Sequence, residues 1–277
     1  MSFPTTIYDG VAKAKETYAA QGETPLGTRL VVPDGRVFRY AQAGATALHP
    51  FKIVKSAALG PWSTMSACGV QDAVRRSTSY TAGATQIHFS YGATGSVNAN
   101  TFKDGWLLVN STDTAERQYA KLGSHGALAS ATALNSLNYV NIPDGLDLEL
   151  NTETDNIVRL IPHEYKGVII ASETPGGGVV GVPIVSVPIS YYFWMQTWGP
   201  CPVLQDACGR TDAIANFQGF QAYLATGGTG AIGLPSSGMT GSLDSDSQGN
   251  ALIGAIGVFM SGGPATRYAL INLRLAA

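Results

Sequence analysis

The sequence is short of charged residues, and the shortage is greatest in its second part. Asp, Glu, Lys and Arg make up 13% of the 277 residues, against roughly a quarter in an average globular protein. Residues 167–277 hold only three basic residues, Arg210, Arg267 and Arg274, and five acidic ones. The formal net charge of -2 leaves no basic excess, so we expect no direct binding to nucleic acid.

A soluble monomer normally presents many Lys and Glu side chains to water. We therefore interpret the charge-poor second part as a surface that other subunits or a lattice cover. The alternative is a β domain rich in Gly, Ser and Thr that water solvates through hydroxyl groups and the backbone. The first interpretation predicts a protein that assembles.

Cysteines and targeting signals are also scarce. The three cysteines, Cys68, Cys201 and Cys208, form no CxxC pair, which argues against a zinc site and against a disulfide framework. The first residues have neither a basic nor an apolar leader region, so we expect a chain that is made in a cytosol and stays there or leaves by lysis. Prolines interrupt the uncharged stretch 174–205, so no membrane segment is predicted.

Motifs for cofactors and catalysis are incomplete. The glycines of 228–233 match the GxGxxG spacing, but Leu234 and Pro235 follow where a nucleotide site needs a helix. The acidic run 244–249 lacks a closing Glu, because Ala255 occupies that position. We predict no cofactor, no metal and no catalytic residue, and therefore no enzyme, although a triad assembled from distant positions would leave no local motif.

What the sequence does contain is the pattern of a β protein. Residues 9–22 are rich in helix formers and end at Gly22, which predicts a short helix or an arm. Short β-branched and aromatic runs follow, separated by turn residues. Pro-Asp-Gly at 33–35 predicts a hairpin, Asp-Gly at 104–105 predicts a turn before the strand 106–109, and Pro-Asp-Gly at 143–145 predicts one before a strand at 146–150.

These patterns predict an all-β fold with two sandwich-like or barrel-like domains. The predicted domains are residues 27–171 and 182–277, preceded by an N-terminal arm over residues 1–26. The linker between them is placed at 172–181, because three consecutive glycines follow Pro175 there. We expect the arm to reach a neighbouring subunit.

The most apolar tract is Val182 to Trp198, and it ends in the aromatic run that begins at Tyr191. Consecutive aromatics on a strand require both faces of the strand to be covered. This favours a core strand or a subunit contact over a sugar-stacking surface, which stays the alternative. The candidate interface residues are Tyr8, Tyr18, Tyr191, Trp194 and Trp198. Near the end of the chain, the strand 267–275 alternates Tyr268, Leu270, Asn272 and Arg274 with Ala269, Ile271, Leu273 and Leu275.

Several motifs carry a family resemblance. They are the run Leu26-Gly27-Thr28-Arg29 through Asp34-Gly35-Arg36-Val37-Phe38-Arg39-Tyr40 to Leu48, then Asp104-Gly105-Trp106-Leu107, Leu160-Ile161-Pro162 and Tyr192-Phe193-Trp194-Met195-Gln196-Thr197-Trp198-Gly199-Pro200. In this order they resemble virion structural proteins of tailed bacteriophages. The resemblance implies a head or decoration-type role in the virion and supplies no catalytic site.

The resemblance and the charge pattern together lead to a hypothesis about function. We expect a non-enzymatic capsid decoration (cement) protein, a homotrimer that binds the assembled shell of the major capsid protein at the virion surface. The alternatives are the major capsid subunit itself, which usually shows longer helices, and a receptor-binding or glycan-binding tail protein that uses Tyr191, Trp194 and Trp198.

Overall fold

A computed structural model describes residues 5–56, 71–74, 79–88, 97–110, 118–128, 138–150, 157–171, 177–205, 218–225, 230–233, 255–261 and 267–276. In these ranges nearly all of the regular secondary structure is β strand, which confirms the all-β prediction. The strands are β1 Thr6–Tyr8, β2 Thr17–Tyr18, β3 Arg29–Val31, β4 Val37–Gln42, β5 Val54–Lys55, β6 Gln71–Val74, β7 Gln86–His88, β8 Trp106–Asn110, β9 Gln118–Lys121, β10 Tyr139–Asn141, β11 Ile157–Ile161, β12 Ile169–Ile170, β13 Val179–Pro183, β14 Tyr192–Leu204, β15 Gln221–Leu224, β16 Ile232–Gly233, β17 Gly257–Ser261 and β18 Tyr268–Arg274.

The chain forms two compact units. Unit 1 consists of Met1–Ala58 together with Glu164–Ala277, and unit 2 consists of Leu59–His163. Unit 2 is therefore an insertion in the sequence of unit 1, a division that differs from the predicted domains 27–171 and 182–277.

The linker predicted at 172–181 lies within unit 1. Residues 172–176 fall outside the described ranges, but Val179–Pro183 is strand β13, which pairs with β5 and β14. A Cβ atom on Gly181 would lie 2.5 Å from Cγ of Met195, so this glycine permits a close approach between strands. The C-terminal part of the predicted linker is therefore a paired strand of unit 1.

Unit 1 is built on one branched sheet of twelve strands. Its main order is β1-β3-β4-β14-β18-β17-β15-β16, with β2 and β13 also pairing with β14, and with β5 joining β12 and β13. The predicted hairpin at 33–35 is present, because β3 and β4 pair antiparallel and the Val32 N–H donates to the Arg36 carbonyl at 3.1 Å. Strand β14 is the longest in the described chain and holds the sheet together.

The N-terminal segment is part of unit 1 and is packed onto its sheet. Where a short helix or arm was predicted, there is a 3-10 turn at Lys13–Lys15, and Glu16 is already extended. Strand β1 pairs parallel with β3, and β2 pairs with β14. A buried cluster joins residues of this segment to strands β3, β4 and β14; its buried members are Ala14, Leu26, Leu30, Val32, Phe38, Tyr40 and Trp194.

Unit 2 contains a four-stranded antiparallel sheet in the order β6-β11-β8-β9 and the two-stranded pair β7 and β10. The Asp104-Gly105 turn precedes strand β8 as predicted. The prediction of a strand at 146–150 is wrong, because these residues form no strand. The backbone N–H groups of Asp147 and Leu148 donate to the side-chain oxygen of Gln118, and Leu148 is exposed, so a side chain takes the place of a neighbouring strand.

Candidate interaction surface

The predicted interface residue Trp194 is in the core. It is 1% exposed and lies in the cluster that the N-terminal segment covers. Its ring centroid is 5.0 Å from that of Tyr40, which in turn stacks on Tyr192 at 5.9 Å and contacts Tyr18 at 6.3 Å. The prediction for Trp194 is corrected because segment 5–26 covers this part of β14, which local sequence does not reveal.

Tyr18 belongs to the same covered region. Its hydroxyl accepts a hydrogen bond from Nζ of Lys13 at 2.7 Å and donates to the carboxylate of Glu16, while Lys13 and Glu16 pair at 2.8 Å. These hydrogen bonds raise the pKa of Lys13 and lower that of Glu16, and burial raises the pKa of Tyr40. The side chains of Lys13, Glu16 and Tyr18 bond to one another within the N-terminal segment, whereas the link to the sheet is made by the pairing of β2 with β14 and by the contact of the Tyr18 ring with Tyr40.

The other three candidates lie apart from one another. Tyr8 is at the end of edge strand β1 and is 78% exposed. Tyr191 is half-buried and packs against another core cluster, the one that contains Phe193 and Met195. Trp198 is 37% exposed, and it alone of the candidates lies on a broad apolar surface.

That surface is the exposed side of strands β14, β18, β17 and β15. The alternation predicted for the last strand is confirmed, because Ala269, Ile271 and Leu273 are buried while Tyr268 and Leu270 are exposed. Residues directly opposite each other in a sheet point to the same side. The outer face, as we name this surface, consists of Trp198, Pro200, Pro202 and Leu204 from β14, Tyr268, Leu270, Asn272 and Arg274 from β18, Val258 and Ser261 from β17, and Gln221 from β15.

Seven of the eleven residues of the outer face are apolar or aromatic, and one, Arg274, is charged. Met260, in a bulge of β17, adds a further exposed apolar side chain beside it. Singly exposed apolar side chains are ordinary on a protein surface, but a contiguous apolar group on a sheet is typical of a contact site.

The edge of β14 beside this face is closed to further strands. In the described chain no strand pairs with residues 199–203 on the side away from β18. The Leu204 N–H points to that side and donates to the Phe51 carbonyl, so the nitrogens of Pro200 and Pro202 share this direction and carry no proton. The buried Nε2 of Gln196 donates to the carbonyls of Trp198 and Pro200 at 3.1 and 2.9 Å.

Because Pro200 and Pro202 have no N–H and the carbonyls of Trp198 and Pro200 accept from Gln196, this edge is a poor template for another strand. Contacts of this region with other molecules must therefore use the side chains of the outer face. Cys201, on the buried side of β14, takes no part, and burial raises the pKa of its thiol to about 12.

Two other features are absent from the described ranges, a cluster of metal ligands and a helix able to cross a membrane. No three His, Cys, Asp or Glu side chains converge there as metal ligands would. No helix in the described part of the chain has the length and apolar character to cross a bilayer. The predicted nucleotide-like glycines lie only partly in the described ranges, and the acidic run 244–249 lies outside them.

Comparison with known proteins found no family model, no curated protein and no solved structure that matches this chain. The function of the chain is therefore inferred from the residues and geometry of the two units.

Sequence reasoning did not name Tyr268, Leu270 or Pro202 as contact residues. A signal was present, since the last strand alternates cleanly and its outward positions carry a single charge. What was missing is the register, which places Pro202 opposite Leu270 and Leu204 opposite Tyr268 and so turns two strands into one surface.

Proposed function

We propose that this chain is a non-enzymatic structural protein of a bacteriophage virion, a capsid decoration protein that binds the assembled shell through the outer face. The observation that carries the proposal is the contiguous apolar side of β14 and β18 with Arg274 as its one charged residue. The sequence resemblance to virion structural proteins supplies the phage context.

Exposed apolar side chains lower the free energy of the system when a binding partner covers them. Burying one Leu or aromatic side chain gains about 1.5–3 kcal/mol, so a face with Trp198, Leu204, Tyr268 and Leu270 offers substantial binding free energy. Few charges have to be desolvated when such a face is covered. The rigid sheet below the face also keeps the entropy cost of binding low.

Repetition would strengthen the contact further. A shell presents the same binding surface many times, so a decoration protein with several copies of the outer face gains avidity from modest individual contacts. The closed edge of β14 fits this role, because it prevents the copies from joining into an open-ended sheet. We propose the homotrimer expected from the sequence as the form that binds.

The test uses one charge on the outer face and a matched charge elsewhere. Leu270→Glu places a carboxylate in the centre of the outer face, and Leu148→Glu places one at a similarly exposed position of unit 2. Shells purified without this protein are incubated with each variant, and occupancy is measured by cosedimentation and electron microscopy. We expect Leu270→Glu to weaken binding at least about tenfold, because a buried unpaired charge costs more than the 1.4 kcal/mol that tenfold represents.

Leu148→Glu should bind like the wild type. Sedimentation equilibrium of the same samples measures the number of copies, for which we expect three. A wild-type chain that stays a monomer and leaves shells unoccupied would refute the proposal, as would full occupancy by Leu270→Glu.

A further inference from the structure

Unit 2 carries a separate exposed aromatic pair on one side of its four-stranded sheet. Trp106 in β8 is 43% exposed, and Tyr119 in β9 is 67% exposed. Their ring centroids are 5.8 Å apart with an angle of 61° between the planes, so the edge of one ring meets the other. Trp106 lies opposite Lys121 and Tyr119 lies opposite Leu108, so these four residues share one side of the sheet.

The backbone under this pair is held on both sides. Trp106 pairs with Lys121 in β9 and with Ile161 in β11. The Gly105 carbonyl accepts the Leu122 N–H at 2.9 Å, and a Cβ atom on Gly105 would lie 2.2 Å from the Ile161 carbonyl oxygen, so β8 and β11 are in close contact where the turn enters the strand. A side chain on such a frame is placed before any ligand arrives, and little ordering is lost on binding.

The size of the pair points to a small ligand. Among the residues of this side whose side chains are described, the two rings are the exposed part, and the half-buried Leu108, Lys121 and Ile161 border them. A stable protein contact needs about 800 Å² from each partner, far more than two rings provide.

A sugar ring matches this surface chemically. It has an apolar C–H side, which can lie on an aromatic ring, and a rim of hydroxyl groups, which need polar partners. Trp and Tyr combine an apolar body with a polar tip, and Lys121 adds a cationic donor next to Trp106. The cation favours a sugar with a carboxylate, because a charge-assisted hydrogen bond is stronger than a neutral one.

We propose that Trp106, Tyr119 and Lys121 form a binding site for an acidic saccharide, with the C–H side of the ring on Trp106 and the carboxylate near Lys121. The site differs from the sugar surface considered for Tyr191, Trp194 and Trp198, of which Trp194 is buried. It lies in unit 2, whereas the outer face lies in unit 1.

The full chain is tested on an array of immobilised oligosaccharides with and without uronic acid residues. We expect the wild type to bind the acidic members best and Trp106→Ala to bind them at least about tenfold more weakly, as is usual when a central aromatic contact is removed. Trp106→Phe should recover part of the binding. Lys121→Gln should remove the preference for acidic over neutral saccharides.

Trp198→Ala is the matched control, since Trp198 has a similar exposure but lies in unit 1. It should bind the array like the wild type, and Trp106→Ala should retain normal shell binding. If Trp106→Ala fails to fold, Tyr119→Ser provides the same test at a more exposed position. The proposal would be overturned if the wild type bound none of the saccharides, or if the Trp106 and Tyr119 variants bound them as well as the wild type does.

Discussion

The two halves of strand β14 have similar apolar sequences and different surroundings. In the first half, Trp194 is buried under the N-terminal segment and packs on Tyr40. In the second half, Trp198 is only four residues away along the strand and is partly exposed on the outer face. Composition is therefore a poor guide to which part of an apolar strand is core and which part is contact surface.

The difference comes from what lies over the strand. Residues 5–26 supply Ala14 and Leu26 to the cluster that covers Trp194 in the first half. In the second half Cys201 and Val203 are buried on one side of the strand, while Trp198 and Pro200 are exposed on the other.

The two tryptophans are on opposite sides of the sheet, because Trp194 lies opposite Tyr40 and Trp198 lies opposite Val37, three residues away on β4. A bulge between Gln196 and Trp198 marks the boundary. Variants of the N-terminal cover, of the two tryptophans, of Gln196 and of the turn after β3 test this comparison.

The largest effect is expected when the cover is removed. Deleting residues 1–20 takes away β1, β2 and Ala14 and uncovers Tyr40 and Trp194. We expect the free energy of unfolding to fall by more than about 4 kcal/mol, because two or more large side chains lose their burial. Urea unfolding measures the change. Tyr8→Ala, at the exposed tip of the same segment, is the control, and equal stability of the deletion and the control would contradict this account.

A smaller effect is expected from truncating the buried tryptophan. Trp194→Ala should lower the free energy of unfolding by about 3–5 kcal/mol because it leaves a cavity. Trp198→Ala should lower it by less than about 1 kcal/mol, as is usual at the surface. Trp194→Phe should cost less than Trp194→Ala, since the buried Nε1 of Trp194 has no hydrogen-bond partner to lose. Similar losses for the two alanine variants in urea unfolding would remove the distinction between the halves.

The closed edge of β14 depends on Gln196. Gln196→Met removes the donor to the carbonyls of Trp198, Gly199 and Pro200, and we expect a loss of about 1–3 kcal/mol from unsatisfied acceptors. Gln221→Met on the outer face is the matched control and should lower the free energy of unfolding by less than about 0.5 kcal/mol, because the hydrogen bond that it loses to Tyr223 is exposed. Light scattering should also show slow aggregation of Gln196→Met, and a variant that is as stable and as dispersed as the control would refute the role of Gln196.

The smallest effect is expected at the turn that follows β3. The Arg36 guanidinium, 2.7 Å from the carboxylate, lowers the pKa of Asp34 below its usual value. The pair therefore stabilises the fold above the ordinary pKa of an aspartate, and the contribution is lost as the pH falls through the lowered folded pKa. Because both groups are solvated, Asp34→Asn should cost less than about 1 kcal/mol at neutral pH and low salt.

In strong acid the wild type and Asp34→Asn should have equal stability. Thermal unfolding across the pH range measures this convergence. A difference that persists in acid would mean that the turn geometry, and not the charge, is the source of the effect.

Much of the local structure could be predicted. The hairpin at 33–35, the turn before Trp106 and the alternation of the last strand follow from turn chemistry and the two-residue period of β strands, and the structure contains all three. The strand at 146–150 could not be predicted correctly, because the hydrogen bonds that replace it come from Gln118, far away in the sequence.

The candidate surface was predicted only in part. Trp198 was named from its aromatic neighbours, but Trp194 was named on the same grounds and is buried. The two differ only in long-range packing, which neither composition nor periodicity contains. The exposed pair Trp106 and Tyr119 was missed for the same reason, since strand pairing brings together two rings that lie thirteen positions apart in the sequence.

The sequence by itself determined the all-β class, the turns and the shortage of charge in the second part, because backbone propensity, turn chemistry and composition are properties of short stretches of chain. Only the tertiary structure decided that residues 59–163 form an inserted unit, that the N-terminal segment covers half of β14, and that the outer face stays uncovered. These outcomes depend on which distant strands meet and in what register, and that is settled by the burial of side chains across the whole fold.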